Sequence, residues 1–314
     1  GGSTSRIKGV PPMQRKPFTR RRFLERSAAV AGGIALSPLA AGAAGKMTAT
    51  DQVPLGKTGL KISRLGIGCG SHGGHVQQQL GQDGFNRLIR YAYDQGITYI
   101  DIAKSYRTHG MLREAIKGLP REKLFILTKM GGVPGKPYED IESYCKTYGV
   151  DYLDTVLVHC GVKPDWNERR KPVLDAMEKA RDKGLIKSHG VSCHSLPALK
   201  RAVEIDFVDV HLVRVNPQGH HMDTPRTDTW NAPSNLSHVA PVMEQVKRMK
   251  DKGRGIIGMK IIGNGDFTKP EQRERSIRYA MQCGLLDGVT IGFKSPAEID
   301  EAIQRMNAAL VEIG

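Results

Sequence analysis

Thr98-Tyr99-Ile100-Asp101-Ile102-Ala103-Lys104-Ser105-Tyr106 is the stretch whose reading decides the fold. It is a short, apolar, β-rich run that ends on a carboxylate, with a phenol following in the next turn. Leu124-Phe125-Ile126-Leu127-Thr128-Lys129 and Thr155-Val156-Leu157-Val158-His159 repeat the pattern, each about one strand-helix unit further on. A polar residue at the carboxyl end of three successive buried strands is unusual for packing. A barrel enzyme needs that arrangement, because it brings side chains from several strands to one mouth.

Outward from this stretch the chain alternates. Strands are expected at 65–69, 98–103, 124–129, 155–159, 188–193, 208–215, 255–262 and 288–292. Helices are expected at 83–95, 109–118, 138–148, 168–183, 196–204, 239–252, 271–283 and 296–309. Period 3.6 supports the helices: Val173, Leu174, Met177 and Ala180 share one face with charges opposite. Several helices end in glycine just before the next strand, among them Gly184 and Gly253. A small hairpin around Lys57-Thr58-Gly59 precedes the alternation. The sum is α/β, a (β/α)8 TIM barrel over residues 51–314 with an N-terminal β-hairpin. Gly66-Ile67-Gly68-Cys69-Gly70 opens no helix directly, so it is discounted as a dinucleotide-binding turn. Between the sixth strand and its helix lies Pro217–His238, a connection long enough to be functional.

The chain has 314 residues, 39% hydrophobic, and a net charge of +15. Residues 1–50 hold nine Lys/Arg against Glu25 alone, a net of +8, which leaves +7 for the barrel. That balance suits an anionic cofactor and, with no aromatic-basic stripe, points away from nucleic acid. Residues 1–50 read as a tag remnant followed by an export address. Thr19-Arg20-Arg21-Arg22-Phe23-Leu24, followed by a small-residue apolar run to Gly45, resembles a twin-arginine signal. Gly32, Gly33 and Pro38 make that run a poor membrane span. The resemblance implies an exported, periplasmic protein that folds before transport, with the twin-arginine export machinery as a partner. Five widely spaced cysteines without Cys-x-x-Cys argue against a disulfide framework.

Asp101, Ala103 and Tyr106, followed at the right distances by Lys129 and His159, resemble the aldo-keto reductase family. Leu55–Leu60, Asp151–His159 and Gly190-Val191-Ser192 carry the likeness along nearly all of the barrel. The resemblance implies hydride transfer between NADP(H) and an aldehyde, ketone or sugar carbonyl, with the cofactor tightly held if it is loaded before export. Tyr106 is then the general acid/base and Lys129 lowers its pKa. Asp101 anchors the lysine, and His159 orients the carbonyl.

For the cofactor, Ser192 matches the family serine that holds the nicotinamide amide, and Cys193 stands where the family has Asn. Leu212 and Val215 stand near the family's Gln and ring-stacking Tyr, and only Asn216 of that element survives. Lys294 and Ser295 suit a 2′-phosphate, hence NADP, while Lys260 and Gly263-Asn264-Gly265 suit the pyrophosphate. Cys69, Cys160 and Cys193, with His72, His75, His194, His211, His220 and His221, offer a competing ligand set for a transition metal, but at no standard spacing. No metal is therefore expected. Two competing readings stand beside the reductase: a metal-dependent hydrolase or lyase on the same barrel, and a non-catalytic binding protein that keeps the fold. Trp166 and Trp230 are placed in rim loops, where a flat ring stacks on a sugar face or anchors a loop.

Overall fold

The computed structural model describes residues 46–314, so the stretch expected to be a twin-arginine signal lies outside the described residues. The chain opens with an antiparallel hairpin, β1 (Gln52–Pro54) and β2 (Lys61–Ser63). Eight parallel strands follow: β3 (Leu65–Gly68), β4 (Tyr99–Asp101), β5 (Phe125–Met130), β6 (Leu153–Gly161), β7 (Ile186–Cys193), β8 (Val210–Arg214), β9 (Gly255–Met259) and β10 (Gly288–Gly292). They pair in chain order, and β10 pairs back onto β3, which closes the barrel. Seven crossovers and the segment after β10 carry the helices α1 (His75–Gln78), α2 (Gly81–Asp94), α3 (Leu112–Ile116), α4 (Pro137–Tyr148), α5 (Trp166–Arg169), α6 (Lys171–Asp182), α7 (Leu196–Glu204), α8 (Val239–Asp251), α9 (Pro270–Gln282) and α10 (Pro296–Val311).

Strand alternation divides the core in two. Tyr99, Phe125, Leu127, Leu157, Val210, Leu212 and Ile257 fill the barrel interior. Their neighbours along each strand, such as Ile100, Ile126, Val156, Val158 and Val213, pack outward under the helices. The hairpin belongs to the interior: Leu55 and Ile62 are fully buried there and close the amino end of the barrel. Lys57 N–H donates to the Gly253 carbonyl at 2.8 Å and Gly56 N–H to Asp287 Oδ2 at 3.0 Å, pinning the hairpin turn against the start of β9.

The expected helix 109–118 is a 3₁₀ turn over His109–Met111 and a short helix, α3. Gly118, at φ 80°, follows Lys117, whose extended backbone ends the element. The expected helix 168–183 starts at Trp166 and breaks at Arg170 into α5 and α6, because Pro172 supplies a fresh helix start. No helix among the described residues is long and apolar enough to cross a membrane.

Candidate active site

On β4, β5 and β6 the inward parity reaches the carboxyl ends as Asp101, Lys129 and His159. Lys129 is 1% exposed and donates from Nζ to Asp101 Oδ1 at 2.6 Å and to the Ile102 carbonyl at 2.9 Å. Tyr99, two residues before Asp101 on the same face, donates to Asp101 Oδ2 at 2.8 Å. The carboxylate is thus held from both oxygens. Burial, the largest influence, would push the Lys129 ammonium to lose its proton, but Asp101 and then Tyr106 together outweigh it and the pKa is raised.

Tyr106 closes over this pair. The Lys129 ammonium lies 4.9 Å from its ring centroid, and the His159 ring meets it edge-on at 5.8 Å. The loop carrying Tyr106 is tied to the end of β3 by Thr108 Oγ1 donating to the Cys69 carbonyl at 2.8 Å and Arg107 N–H to the Gly73 carbonyl at 3.0 Å. The glycine run 66–70 explains itself here. A Cβ on Gly66 would stand 2.1 Å from the Tyr99 ring, and one on Gly70 2.3 Å from the Tyr106 ring. The run makes room for two phenols.

The expected lowering of the Tyr106 pKa is present as one pull and outweighed. Burial raises it, Lys129 lowers it, Asp101 raises it, and the balance stays above the ordinary phenol value. His159 is pushed down to about 3 by burial, then by Lys129, Arg170 and Lys260, so it is neutral. Its Nδ1 lies 3.4 Å from Ser105 Oγ.

A groove of about 540 Å³ leads from Asp101 and Tyr106 past Leu212, Met259 and Lys260 to Lys294, between α9 and α10. Burial first, then Arg214, lowers the Lys260 amine to about 8, and its Nζ donates to Asn264 Oδ1 at 2.8 Å. Thr290 lines the groove, and its buried Oγ1 has no hydrogen-bond partner. Ser192, on the inward parity of β7, is 1% exposed with an equally unpartnered Oγ.

Of the other expected cofactor residues, Lys294 lines the groove with Lys260, while Cys193, Asn216 and Ser295 do not. Cys193 and Val215 pack in the outer core, away from the groove. Asn216 donates to the His220 and Lys260 carbonyls at 2.8 and 3.1 Å and accepts from His220 N–H at 3.0 Å, fastening the long loop. Ser295 Oγ accepts from Glu298 N–H at 3.3 Å as the cap of α10. Lys294 is exposed beside Glu298 (3.8 Å), while Arg273, also lining the groove, pairs with Glu301 at 2.9 Å. In the 263–265 turn, the Gly263 and Gly265 N–H groups are taken by the Lys260 and Ile262 carbonyls, at 2.9 and 3.1 Å. Trp166 is buried with Nε1 donating to the Ala198 carbonyl at 3.2 Å, an anchor, and Trp230 is exposed at the rim. Among the described residues, no three His, Cys, Asp or Glu side chains gather as a metal would require.

The profile of the Aldo/keto reductase family matches residues 64–284. The chain belongs to that family. "Probable aldo-keto reductase 1" of Glycine max is 33% identical over 167 residues, 48% of this chain and 47% of that protein. "Glycerol 2-dehydrogenase (NADP(+))" of Hypocrea jecorina is 26% identical over 193 residues, 51% of this chain and 58% of that protein. The chain spans about half the length of these curated relatives. An aldo-keto reductase of Bacillus halodurans, solved in its holo form, has a TM-score of 0.64 at 16% identity, over 85% of this chain and 97% of that one, a likeness of fold.

For an aldo-keto reductase, two site residues escaped the sequence reading. Tyr99 looks like an ordinary core aromatic, and its bond to Asp101 depends on strand parity. Arg214 shares the inward parity of Val210 and Leu212 and is 2% exposed at the end of β8. The alternation within Val210–Arg214 was the signal that could have found it.

Proposed function

We propose that the protein is an NADP(H)-dependent carbonyl reductase acting on a small aldehyde, ketone or sugar. The observation that carries the reading is the buried Asp101–Lys129 pair beneath the Tyr106 ring, with neutral His159 beside it. When bound, the cofactor supplies the hydride. Groove volume falls within the range of small-molecule sites, ~300–1,000 Å³. Thr290 offers an unpartnered hydroxyl in its lining, Ser192 carries a second one buried on β7, and Lys260, Arg273 and Lys294 supply cations along it. Those residues would hold a dinucleotide phosphate and amide.

The chain's own chemistry follows from the charges. As the carbonyl oxygen gains negative charge it needs a proton. Tyr106, raised above the ordinary phenol value, is fully protonated at neutral pH and donates from its hydroxyl. The tyrosinate left behind is stabilised by the Lys129 ammonium, which Asp101 keeps charged. Neutral His159 donates an N–H hydrogen bond to the same oxygen and, lacking the extra proton of an imidazolium, does not replace Tyr106 as the acid.

The test is NADPH titration followed by turnover on a panel of aldehydes. Tyr106→Phe is expected to cut kcat by ~10²–10⁴ with NADPH affinity unchanged; undiminished turnover would remove Tyr106 from the mechanism. The twin-arginine-like segment supports export of the folded, cofactor-loaded protein. Replacing Arg20 and Arg21 together by Lys should hold the protein in the cytoplasm, and normal delivery of that variant to the periplasm would refute the route.

A further inference from the structure

We infer that the substrate carries an anionic group near its carbonyl, a carboxylate or a phosphate, received at the rim by Arg170 and Arg214. The inference deepens the reductase reading and rests on it.

Arg170 is fastened to the rim end of β6 at the His159 and Cys160 carbonyls. Arg214, Arg170, Lys129 and Lys260 all act electrostatically on the thiol of Cys160, the residue after His159. Lys129, Arg170 and Lys260 act in the same way on His159 itself. Two carboxylates stand against them. Asp101 is committed to Lys129 at 2.6 Å. Asp223 comes no closer than 3.6 Å to Arg214 Nε, beyond hydrogen-bond length, and Nε and both carboxylate oxygens are buried without partners. The neighbouring imidazoles, His159 and His194, are kept neutral by burial and add no charge. The rim therefore holds more positive charge than the protein neutralises.

The cofactor groove accounts for Lys260, which lines it, but not for the two arginines. Neither Arg170 nor Arg214 lines the groove, and β6, which leads into Arg170, stands across the closed barrel from β10. Arg170 donates to the His159 and Cys160 carbonyls, and Arg214 to the His221 and Trp230 carbonyls. Those oxygens aim the guanidinium groups without cancelling their charge. A desolvated cation with no tight counterion is costly, and an incoming anion removes the cost. Guanidinium geometry matches carboxylate and phosphate alike.

The experiment uses the full chain and ligands on the alcohol side of the reaction, so that binding is read without turnover. Calorimetry compares lactate with 1,2-propanediol, and glycerol 3-phosphate with glycerol, with NADP present. At least one anionic member is expected to bind about tenfold or more tightly than its neutral partner, ~1.4 kcal/mol or more. Preference in the lactate pair alone identifies a carboxylate, and in the phosphate pair alone a phosphate. Arg170→Gln and Arg214→Gln should each shrink the preference to about threefold or less while NADPH affinity stays unchanged. Equal or undetectable binding within both pairs overturns the inference, as does a preference that survives both substitutions. If Arg214→Gln fails to fold, because Arg214 also holds the long loop, Arg170→Gln decides alone. Failure to bind NADPH would sink the reductase reading, and the calorimetric preference would still judge the anion site separately.

Discussion

At the residue level, the arrangement around Tyr106 depends on atoms that are missing as much as on those present. Gly70 has no Cβ where one would collide with the Tyr106 ring at 2.3 Å. Gly70→Ala should displace that ring from Lys129 and His159 and cut carbonyl reduction at least tenfold. The fold should be largely spared, because the clash is met by a loop side chain and not by the sheet. Turnover beside a urea melt checks this, and wild-type kcat would refute it. The acid, the lysine and the histidine were legible in the sequence because each ends a β-rich run. The glycine run was not, because its purpose lies in two rings that arrive from β4 and from the loop after it. Cys193 misled for a related reason: position in the motif suggested the groove, and strand parity turned it into the outer core.

Among the elements, the decisive one is the connection after β8. Asn216 staples its first turn to the end of β9, and Arg214 holds it from beneath at the His221 and Trp230 carbonyls. Asn216→Ala leaves two carbonyls and one N–H without their partner, a loss of ~1–3 kcal/mol for each group that stays buried. The expected outcome is faster proteolytic nicking within 217–238 and a raised KM, with kcat little changed. Limited proteolysis and steady-state kinetics measure both, and an unaltered cleavage rate would refute the staple. Length and polar composition announced that this loop matters. Which residues fasten it could not be read, since Asn216 and Lys260 meet only when β8 and β9 pair. The same limit explains the helix at 109–118, whose apolar pattern ran on through residues the backbone cannot keep helical.

For the molecule as a whole, buried titrating groups set the response to acid. His109 and His159 are lowered by burial to about 4 and about 3, and His194 and His211 are driven well below their ordinary value for the same first reason. Each stays neutral while folded and charges near ~6.5 when unfolded, so its contribution is present above that pH and lost as pH falls toward 4 to 3. Asp223 runs the other way. Burial raises it to about 7, so it favours the folded state at low pH and that advantage disappears as pH rises through about 7. Four imidazoles outvote one carboxyl, and unfolding free energy should decline from pH 6.5 to 4. Urea melts across that range are the check, and a flat or rising profile would contradict it. The barrel itself was readable from eight alternations. The balance of charge at its rim was not, because it depends on which side of each strand faces in.

The niche beside Gly70 is shaped for a flat six-membered ring, and the atoms that come nearest there are ring carbons. Phenylalanine at 106 would fill it as tyrosine does. Chemistry and architecture at this position can therefore be separated by removing a single atom, so whatever activity that variant loses can be charged to the hydroxyl alone.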